Sequence, residues 1–277
     1  MDEILRGLPD HSLVLDLGCG SGTFDYTDRN FTVVGVDLEP GRKANFVQAD
    51  AAKLPFLDNT FDAVISNNSL EHVIKYLDAL SEIGRVLKPS GSIYIAVPDA
   101  TTITDRVYRS LARGGGHVNQ FSSATQLAAQ IERATGLHLV ATRTLCSSFS
   151  FLNRANRRSP AAMRLLLLGG GTQLSLLLLN RVLRLLDYLF QSRLSVYGWA
   201  LFFGHFEEKI DSDAWTNVCV LCGAGHSSYW LTESKLVHQN LLSFYRCPNC
   251  GTLNLFTDDK HYRHLNEGGL HGRSPDL

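Results

Sequence analysis

The sequence has almost no net charge and few cysteines. Its 277 residues include 26 lysines and arginines against 27 acidic residues. A chain this close to neutral is a poor candidate for non-specific binding of the nucleic-acid backbone, which needs a basic surface. Six cysteines are too few for a disulfide-stabilised scaffold of this length. The first residues lack the basic start and apolar core of a signal peptide, so we expect a cytoplasmic protein.

Long hydrophobic runs are also missing. Within the leucine-rich segment 150–195, the longest uncharged run, residues 165–180, has 16 residues, whereas a membrane-spanning helix needs about 20. Apolar residues make up 44% of the chain and charged residues 19%, which is enough for a folded core and argues against disorder. At roughly 150 residues per domain, the length favours two domains.

Residues 1 to about 145 alternate short apolar runs with turns and helical stretches, the pattern of a parallel α/β sheet. A helix is predicted from Ser123 to Ala134, with Ser122 as its N-cap and Gly136 at its end. Strands covered by helices on both faces are almost continuously apolar. The runs of this kind are Leu13–Asp16, Thr32–Val36, Asn45–Val47, Phe61–Ser66, Ser92–Val97, Leu137–Thr144 and Val196–Phe206.

The segment 150–195 is rich in leucine and contains seven arginines and one aspartate. From Arg181 to Arg193, polar residues recur every three or four positions, which predicts an amphipathic helix with a wide apolar face. We favour an interpretation in which this segment packs as a lid on its own domain. The alternative is peripheral contact with a membrane surface, which basic amphipathic helices also make.

The most specific pattern is the run Val14–Phe24, VLDLGCGSGTF, in which a buried strand leads into a glycine-rich loop. Glycines allow a tight turn and let a ligand approach the backbone. The third glycine comes one position too early for a dinucleotide-binding fingerprint, which weighs against a nicotinamide-dependent oxidoreductase. Asp37 ends the next strand, where a carboxylate can accept both ribose hydroxyls. Together these features indicate an adenosine ligand.

Four segments in order resemble the class I S-adenosylmethionine-dependent methyltransferases, especially the bacterial group that includes the ubiquinone and menaquinone methyltransferases. They are VLDLGCGSG, VVGVDLE, QADAAKLPFLDNTFDAVISNNSLEHV and EIGRVLKPSGSIYIAVP. The resemblance covers roughly residues 12–145. It implies a Rossmann-like, mostly parallel seven-stranded α/β sheet with a helical insert before the last strand. Only about 12 residues precede the first strand, whereas the family carries N-terminal helices over the cofactor.

The resemblance also implies the cofactor contacts. Asp16 would lie near the amino group of S-adenosylmethionine and Asp37 would hold the ribose hydroxyls. Leu38 would pack on the adenine, Asp50 would bond its amino group beside Ala51, and Asn67 would lie near the sulfonium. The glycine-rich loop would line the methionine and ribose through Gly18, Cys19, Gly20 and Gly22.

A general base is harder to identify from the sequence. His72 and His117 are the candidate catalytic residues, because a histidine can accept a proton near neutral pH. In the ubiquinone O-methyltransferases an acidic residue followed by Glu-His binds a metal. Asn68 stands in place of that first acid here, so we assign no metal to Glu71 and His72.

Four cysteines near the end of the chain form two Cys-x-x-Cys-Gly motifs separated by 24 residues. This spacing is typical of a structural zinc ribbon, in which four thiolates surround one Zn²⁺. The predicted ligands are Cys219, Cys222, Cys247 and Cys250. The segment also resembles the zinc-binding segment that opens many bacterial methyltransferases of this kind. We favour a stabilising role, with a substrate or partner clamp as the alternative.

These observations predict two domains. Residues 1–209 would form an S-adenosylmethionine-dependent methyltransferase with its insert at about 150–195, and residues 210–277 a zinc-ribbon-like domain. The acceptor would be a small molecule or a lipid-linked compound. The alternative is a non-catalytic interaction protein that keeps the cofactor fold and uses the zinc ribbon to contact protein or nucleic acid, although nucleic-acid features in the sequence are weak.

Overall fold

The structure is a computed structural model, and it describes residues 4–5, 7–20, 30–41, 45–111, 116–157, 171–206, 210, 213–238 and 242–267. Its main feature is a seven-stranded sheet with the strand order β3-β2-β1-β4-β5-β7-β6. The strands are β1 (Leu13–Leu17), β2 (Thr32–Asp37), β3 (Phe46–Gln48), β4 (Phe61–Asn67), β5 (Leu87–Pro98), β6 (Leu139–Cys146) and β7 (Val196–Gly204).

Strands β1 to β5 pair with one another in parallel. Strand β7 runs antiparallel to β5. Ser92, in the middle of β5, donates to the carbonyl of His205, whereas Asp99, just past the end of β5, donates to that of Tyr197. The predicted mostly parallel seven-stranded α/β sheet is therefore confirmed. Strand β5 begins at Leu87, five residues before the prediction, because an irregularity in its register with β4 lets Leu87 pair with Phe61.

Helices α1 (Tyr76–Val86), α2 (Ile103–Leu111), α3 (Ala124–Thr135) and α4 (Gln173–Phe190) connect these strands. Helix α1 buries Ala79, Leu80, Ile83 and Val86, which share one helical face. Helix α3 ends at Gly136 in the left-handed conformation, as expected. Its N-cap is Ser123 rather than Ser122, because the Ser123 hydroxyl accepts the N–H of Gln126.

The predicted amphipathic helix is α4, which starts earlier than expected and ends at Phe190. The burial of residues along α4 does not follow its amphipathic pattern. Arg184 and Asp187 are buried, whereas Leu174, Leu178 and five further apolar residues are exposed. None of the helices in the described part of the chain is long and apolar enough to cross a membrane.

The chain divides into two compact units. The first comprises Met1–Pro98, His117–Thr142 and Trp199–Asp211, and its largest apolar cluster includes Leu15, Val64 and Ile95 on neighbouring strands. The second comprises Asp99–Gly116, Arg143–Gly198 and Ser212–Leu277. The division at residues 209 and 210 stays a prediction.

The second unit contains only short elements after residue 212. These are β8 (Asn217–Val218), β9 (Gly225–His226), α5 (Ser228–Glu233), β10 (Val237–His238), β11 (Phe244–Arg246), β12 (Leu253–Leu255) and α6 (His264–Glu267). Strands β8 and β9 form a hairpin, and β10, β11 and β12 form a three-stranded antiparallel sheet. Elements of this length do not enclose a core of their own.

Candidate functional site

The strand register brings three predicted site residues to one edge of the sheet. Leu17 pairs with Val36 of β2 and Ser66 of β4, so the residues that follow, Gly18 and Asp37 and Asn67, lie at the same level. The strand order reverses between β1 and β4. In open parallel sheets, ligands bind at the carboxyl ends of the strands beside such a reversal.

Gly18 occupies a position that excludes any side chain. Its φ is +72°, and a Cβ built on it would lie 2.2 Å from Cβ of Ser69. The Ser69 hydroxyl donates to the carbonyl of Leu17 at 2.9 Å and shares a hydrogen bond with Ser66. The ends of β1 and β4 are thus tied together directly below the glycine-rich loop.

Cys19 is a packing residue rather than an exposed nucleophile. It is buried, and a Cβ on Gly35 would lie 2.8 Å from its sulfur. Its N–H and that of Gly18 both donate to the carbonyl of Val36, at 3.1 and 2.8 Å. The loop after β1 is therefore held against the end of β2.

The carboxylate of Asp37 points back to this loop. Oδ2 accepts the N–H of Gly20 at 2.8 Å, and Oδ1 accepts the N–H of Glu39 at 3.1 Å. Gly20 has a φ of +52° with open space where a Cβ would be. A half-buried carboxylate beside an open glycine backbone is the arrangement expected for a sugar-binding site at this edge.

Asp50 follows β3 at the same edge and shapes its own turn. Its Oδ1 accepts the N–H of Ala52 at 2.9 Å, and its carbonyl accepts that of Lys53. Ala51 packs against the core of the first unit. Asp50 itself is exposed, so its side chain remains accessible to a ligand.

Arg85 fixes the loop that continues from Asp50. Its guanidinium donates to the carbonyls of Leu54 and Phe56, at 3.1 and 2.8 Å, and pairs with Asp58 and Glu82. Its hydrogen bond with Glu82 is the main reason that the pKa of Glu82 is lowered and that of Arg85 is raised. Sequence reasoning missed this residue, whose role depends on contacts about 30 positions away.

The remaining predicted cofactor residues differ in exposure. Asp16 is buried on β1, and Leu38 is 67% exposed directly after Asp37. Asn67 is half-buried at the end of β4, with Oδ1 3.4 Å from the hydroxyl of Tyr94. Gly22 lies outside the described residues.

The two candidate catalytic histidines lie together. A 3₁₀ turn, Leu70–His72, follows β4, and the rings of His72 and His117 meet edge to face with centroids 5.0 Å apart. Nε2 of His117 lies 4.0 Å from Oε1 of the buried Glu71. His72 is exposed, whereas the side chain of His117 is only 4% exposed. The ligand atoms of all three residues lie within 4.8 Å of one another.

Asn119 creates this arrangement. Its side-chain amide donates to the carbonyls of Leu70 and Val73, at 3.0 and 2.6 Å. The N–H groups of Val118 and Asn119 both donate to the carbonyl of Glu71. These four bonds hold the residues around His117 on the 3₁₀ turn. Nothing in the local pattern around Asn119 indicates such a role.

The four cysteines of the two motifs converge in the second unit. Sulfur atoms of Cys219 and Cys250 are 3.6 Å apart, and those of Cys222 and Cys247 are 3.7 Å apart. These distances are far too long for disulfides, but they match the roughly 3.8 Å edge of a tetrahedron of thiolates around zinc. The donor set therefore fits a zinc ion.

Both motifs turn in the same way. In the first, the N–H of Gly223 donates to the carbonyl of Cys219, and in the second, that of Gly251 donates to Cys247. Both glycines have positive φ, +77° and +72°. Left-handed backbone at this position is open to glycine at little cost, and it brings the second cysteine of each motif toward the first.

Further donors surround the sulfur atoms. Asn254 and the N–H of Leu221 lie 3.5 and 3.4 Å from the Cys219 sulfur, and Nε2 of His226 lies 3.5 Å from that of Cys247. Hydrogen bonds from Cys222 and Cys247 lower the pKa of Cys219. The hydrogen bond between Cys222 and Cys219 raises the pKa of Cys222 to about 12. The cluster thus already favours a thiolate at Cys219.

Comparison with known proteins agrees with this geometry. A model of the methyltransferase domain family matches residues 15–95. The demethylmenaquinone methyltransferase of Renibacterium salmoninarum is 35% identical over 116 residues, which are 35% of this chain and 49% of that protein. That of Paenarthrobacter aurescens is 39% identical over 94 residues, 30% of this chain and 37% of that protein. The chain thus spans half or less of the length of these curated relatives.

Solved structures show more distant likeness. The match with the YcgJ protein of Bacillus subtilis covers 72% of this chain and 95% of that protein, with 19% identity and a TM-score of 0.45. The 1,6-didemethyltoxoflavin-N1-methyltransferase of Burkholderia thailandensis, solved with S-adenosylhomocysteine, covers 72% of both chains with 16% identity and a TM-score of 0.41. Residues 15–95, which lie in the first unit, are thus similar to the methyltransferase domain family.

Proposed function

We propose that this protein transfers a methyl group from S-adenosylmethionine to a small-molecule or lipid-linked acceptor. The observation that carries the proposal is the carboxylate of Asp37, held 2.8 Å from the N–H of Gly20 at the reversal of strand order. A carboxylate oxygen has more than one acceptor site. Asp37 can therefore keep its backbone bonds and still accept the hydroxyls of a ribose.

Neighbouring residues complete the proposed cofactor site. Gly18 and Gly20 present backbone without side chains, so a ligand can lie close to the loop. The exposed Leu38 offers an apolar surface to an adenine ring, and Asp50 offers an acceptor for its amino group. When bound, the cofactor supplies an electrophilic methyl group on a sulfonium.

We assign proton transfer to the histidine pair. His72 is exposed and can accept a proton from an acceptor hydroxyl or amine on a ring nitrogen. His117 packs against it and faces the carboxylate of Glu71 across 4.0 Å.

The acceptor class rests on two observations. The matched relatives include demethylmenaquinone methyltransferases, and their printed names point to quinone-type acceptors. Segment 150–195 places several leucines of α4 at the surface, which favours an apolar or membrane-associated acceptor over a highly charged one. Peripheral membrane contact through this segment is part of the proposal.

We also propose that Cys219, Cys222, Cys247 and Cys250 bind one structural Zn²⁺. Four sulfur ligands with the spacing of a tetrahedron support this assignment. Metal binding can contribute roughly 10–16 kcal/mol to the folding of small modules. That contribution would compensate for the limited stability of the small apolar core that the short strands of residues 213–267 can form. In this proposal residues 1–209 form the methyltransferase domain and residues 210–277 the zinc-ribbon-like domain.

Transfer of label tests the reaction. The full chain is incubated with methyl-labelled S-adenosylmethionine and either the aqueous or the organic-solvent fraction of a bacterial extract. At limiting S-adenosylmethionine we expect label in the organic fraction with the wild-type protein, much less label with Asp37→Ala and wild-type levels with Glu39→Ala. Absence of label in both fractions, together with no binding of S-adenosylhomocysteine in equilibrium dialysis, would favour the non-catalytic interaction protein instead.

A further inference from the structure

One face of α4 carries an unusual row of apolar side chains, which we call the α4 stripe. Its members are Leu174, Leu178, Val182, Leu185 and Leu189, and each is between 48% and 66% exposed. Residues spaced by three and four positions lie on the same side of a helix. At 1.5 Å per residue the stripe is about 22 Å long. A helix on the surface of a globular protein normally turns such a row inward.

The opposite face of α4 explains why the stripe stays outside. Asp187 is fully buried, and its two carboxylate oxygens accept the Ser192 hydroxyl and the N–H groups of Leu194 and Ser195. Arg184 is buried as well and donates to the carbonyl of Ser147 at 3.2 Å. Rotating the helix to bury the leucines would expose these groups and break their bonds. The helix is therefore locked with its ionic residues inside and its leucines outside.

Exposed cations lie on α4 and in the turn that it contacts. In the described part of segment 150–195, the exposed charged residues are Arg154, Arg157 and Arg181. Helix α4 also contacts the neighbouring turn at Asp259–Tyr262, where Tyr188 meets the ring of His261. Beside this contact, Lys260 and Arg263 are exposed. An apolar row bordered by cations is complementary to anionic lipid.

A second copy of the chain fits this surface less well. Arg181 lies at the middle of the stripe in sequence and is exposed beside it. In a symmetric dimer the same patch meets itself. Two stripes crossing at their centres would bring two Arg181 guanidinium groups together. Like charges in a dry interface are costly, whereas lipid phosphates would pair with each Arg181.

We propose that the α4 stripe inserts into the headgroup region of a lipid bilayer that contains anionic phospholipid, with Arg181 bound to lipid phosphate. The helix then lies in the plane of the surface. This inference rests on the proposed function, since it names the surface at which the protein would meet a lipid-linked acceptor. Its test measures membrane binding and does not depend on methyl transfer.

Vesicle flotation tests the inference with the full chain. Wild-type protein should float with vesicles of phosphatidylcholine and phosphatidylglycerol, and bind pure phosphatidylcholine more weakly. The double variant Leu178→Gln/Leu185→Gln should partition roughly 30-fold more weakly, since each leucine loses its apolar transfer term. Arg181→Gln should lose about fivefold, and only on anionic vesicles. Leu57→Gln, a change at an 83% exposed leucine outside α4, should bind like wild type.

Each outcome decides between explanations. Circular dichroism and thermal unfolding establish that the variants are folded, and light scattering reports the oligomeric state. Wild-type protein that stays with the lipid-free fraction, or a double variant that floats equally well, overturns the inference. If the wild-type protein is a dimer, the double variant is a monomer and vesicle binding is unchanged, the stripe binds a second copy instead. Equilibrium dialysis with S-adenosylhomocysteine on the same samples tests the cofactor site separately.

Discussion

The carboxylate of Asp37 accepts a hydrogen bond from the N–H of Gly20 at 2.8 Å. A second bond, to the N–H of Glu39 at 3.1 Å, fixes its other oxygen. The group is thus oriented across the mouth of the loop after β1. A pre-oriented site loses less conformational entropy on binding. The account of this protein as a methyltransferase depends on this geometry.

Replacing Gly18 by alanine should lower the free energy of unfolding by more than the cost of placing alanine in a left-handed backbone conformation. Gly136 has the same φ of +72° but open space around it, so Gly136→Ala should cost only about 1–2 kcal/mol of unfolding free energy. Gly18→Ala adds a clash with Ser69 at 2.2 Å, which should cost roughly 1–3 kcal/mol more. Urea unfolding of the two variants measures the difference. Equal losses would show that Ser69 yields without cost.

Removing the guanidinium of Arg85 should loosen the loop that carries Asp50. In Arg85→Met the carbonyls of Leu54 and Phe56 lose their donor, and we expect a loss of about 1–3 kcal/mol in unfolding free energy. Hydrogen exchange of amides in residues 51–57 should accelerate. Arg133→Met, at an exposed position on α3, serves as the control. Unchanged exchange in Arg85→Met would contradict this role.

The Glu82–Arg85 pair should make stability sensitive to acid. The pKa of Glu82 is lowered from its ordinary value of 4.5, chiefly by the hydrogen bond from Arg85. A carboxyl group with a lowered pKa in the folded state contributes stability above its unfolded pKa. That contribution disappears as pH falls through the lowered value. Unfolding free energies measured at several values between pH 6 and 3 should therefore fall more steeply for wild type than for Glu82→Gln. Parallel curves would contradict the prediction.

Zinc binding should depend on all four clustered cysteines. Native mass spectrometry should find one Zn²⁺ per chain, and Cys222→Ser or Cys247→Ser should lose it. Cys146→Ala changes a buried cysteine outside the cluster and should keep the metal. A chelator should lower the unfolding temperature, and acid should release the metal because the ligands must be thiolates. Full zinc content in the Cys247→Ser variant would refute the assignment.

The sequence predicts features that depend on residues close together along the chain. Glycines at 18 and 20 and an aspartate at the end of β2 point to a site because parallel strands end at one edge of the sheet. Two Cys-x-x-Cys motifs similarly predict a cluster whose geometry follows from two tight turns. In both cases local spacing determines which side chains can meet.

Long-range packing accounts for what the sequence does not predict. The meeting of His72 and His117 depends on bonds from Asn119 to carbonyls 46 and 49 residues away. Periodicity shows that α4 has an apolar side, but it cannot tell which side the protein covers. The buried bonds of Asp187 and Arg184 decide that the leucines face outward. Such choices depend on partners that no local pattern reveals.

Calorimetric titration of the full chain with S-adenosylhomocysteine tests the central claim most directly. The account predicts one site per chain with saturable binding. It also predicts roughly tenfold to hundredfold weaker binding in Asp37→Ala, the loss expected when charged hydrogen bonds are removed. Glu39→Ala, at an exposed neighbouring position, should bind like wild type. Wild-type protein that gives no binding heat at high micromolar ligand, or an Asp37→Ala variant that binds equally well, would contradict the account.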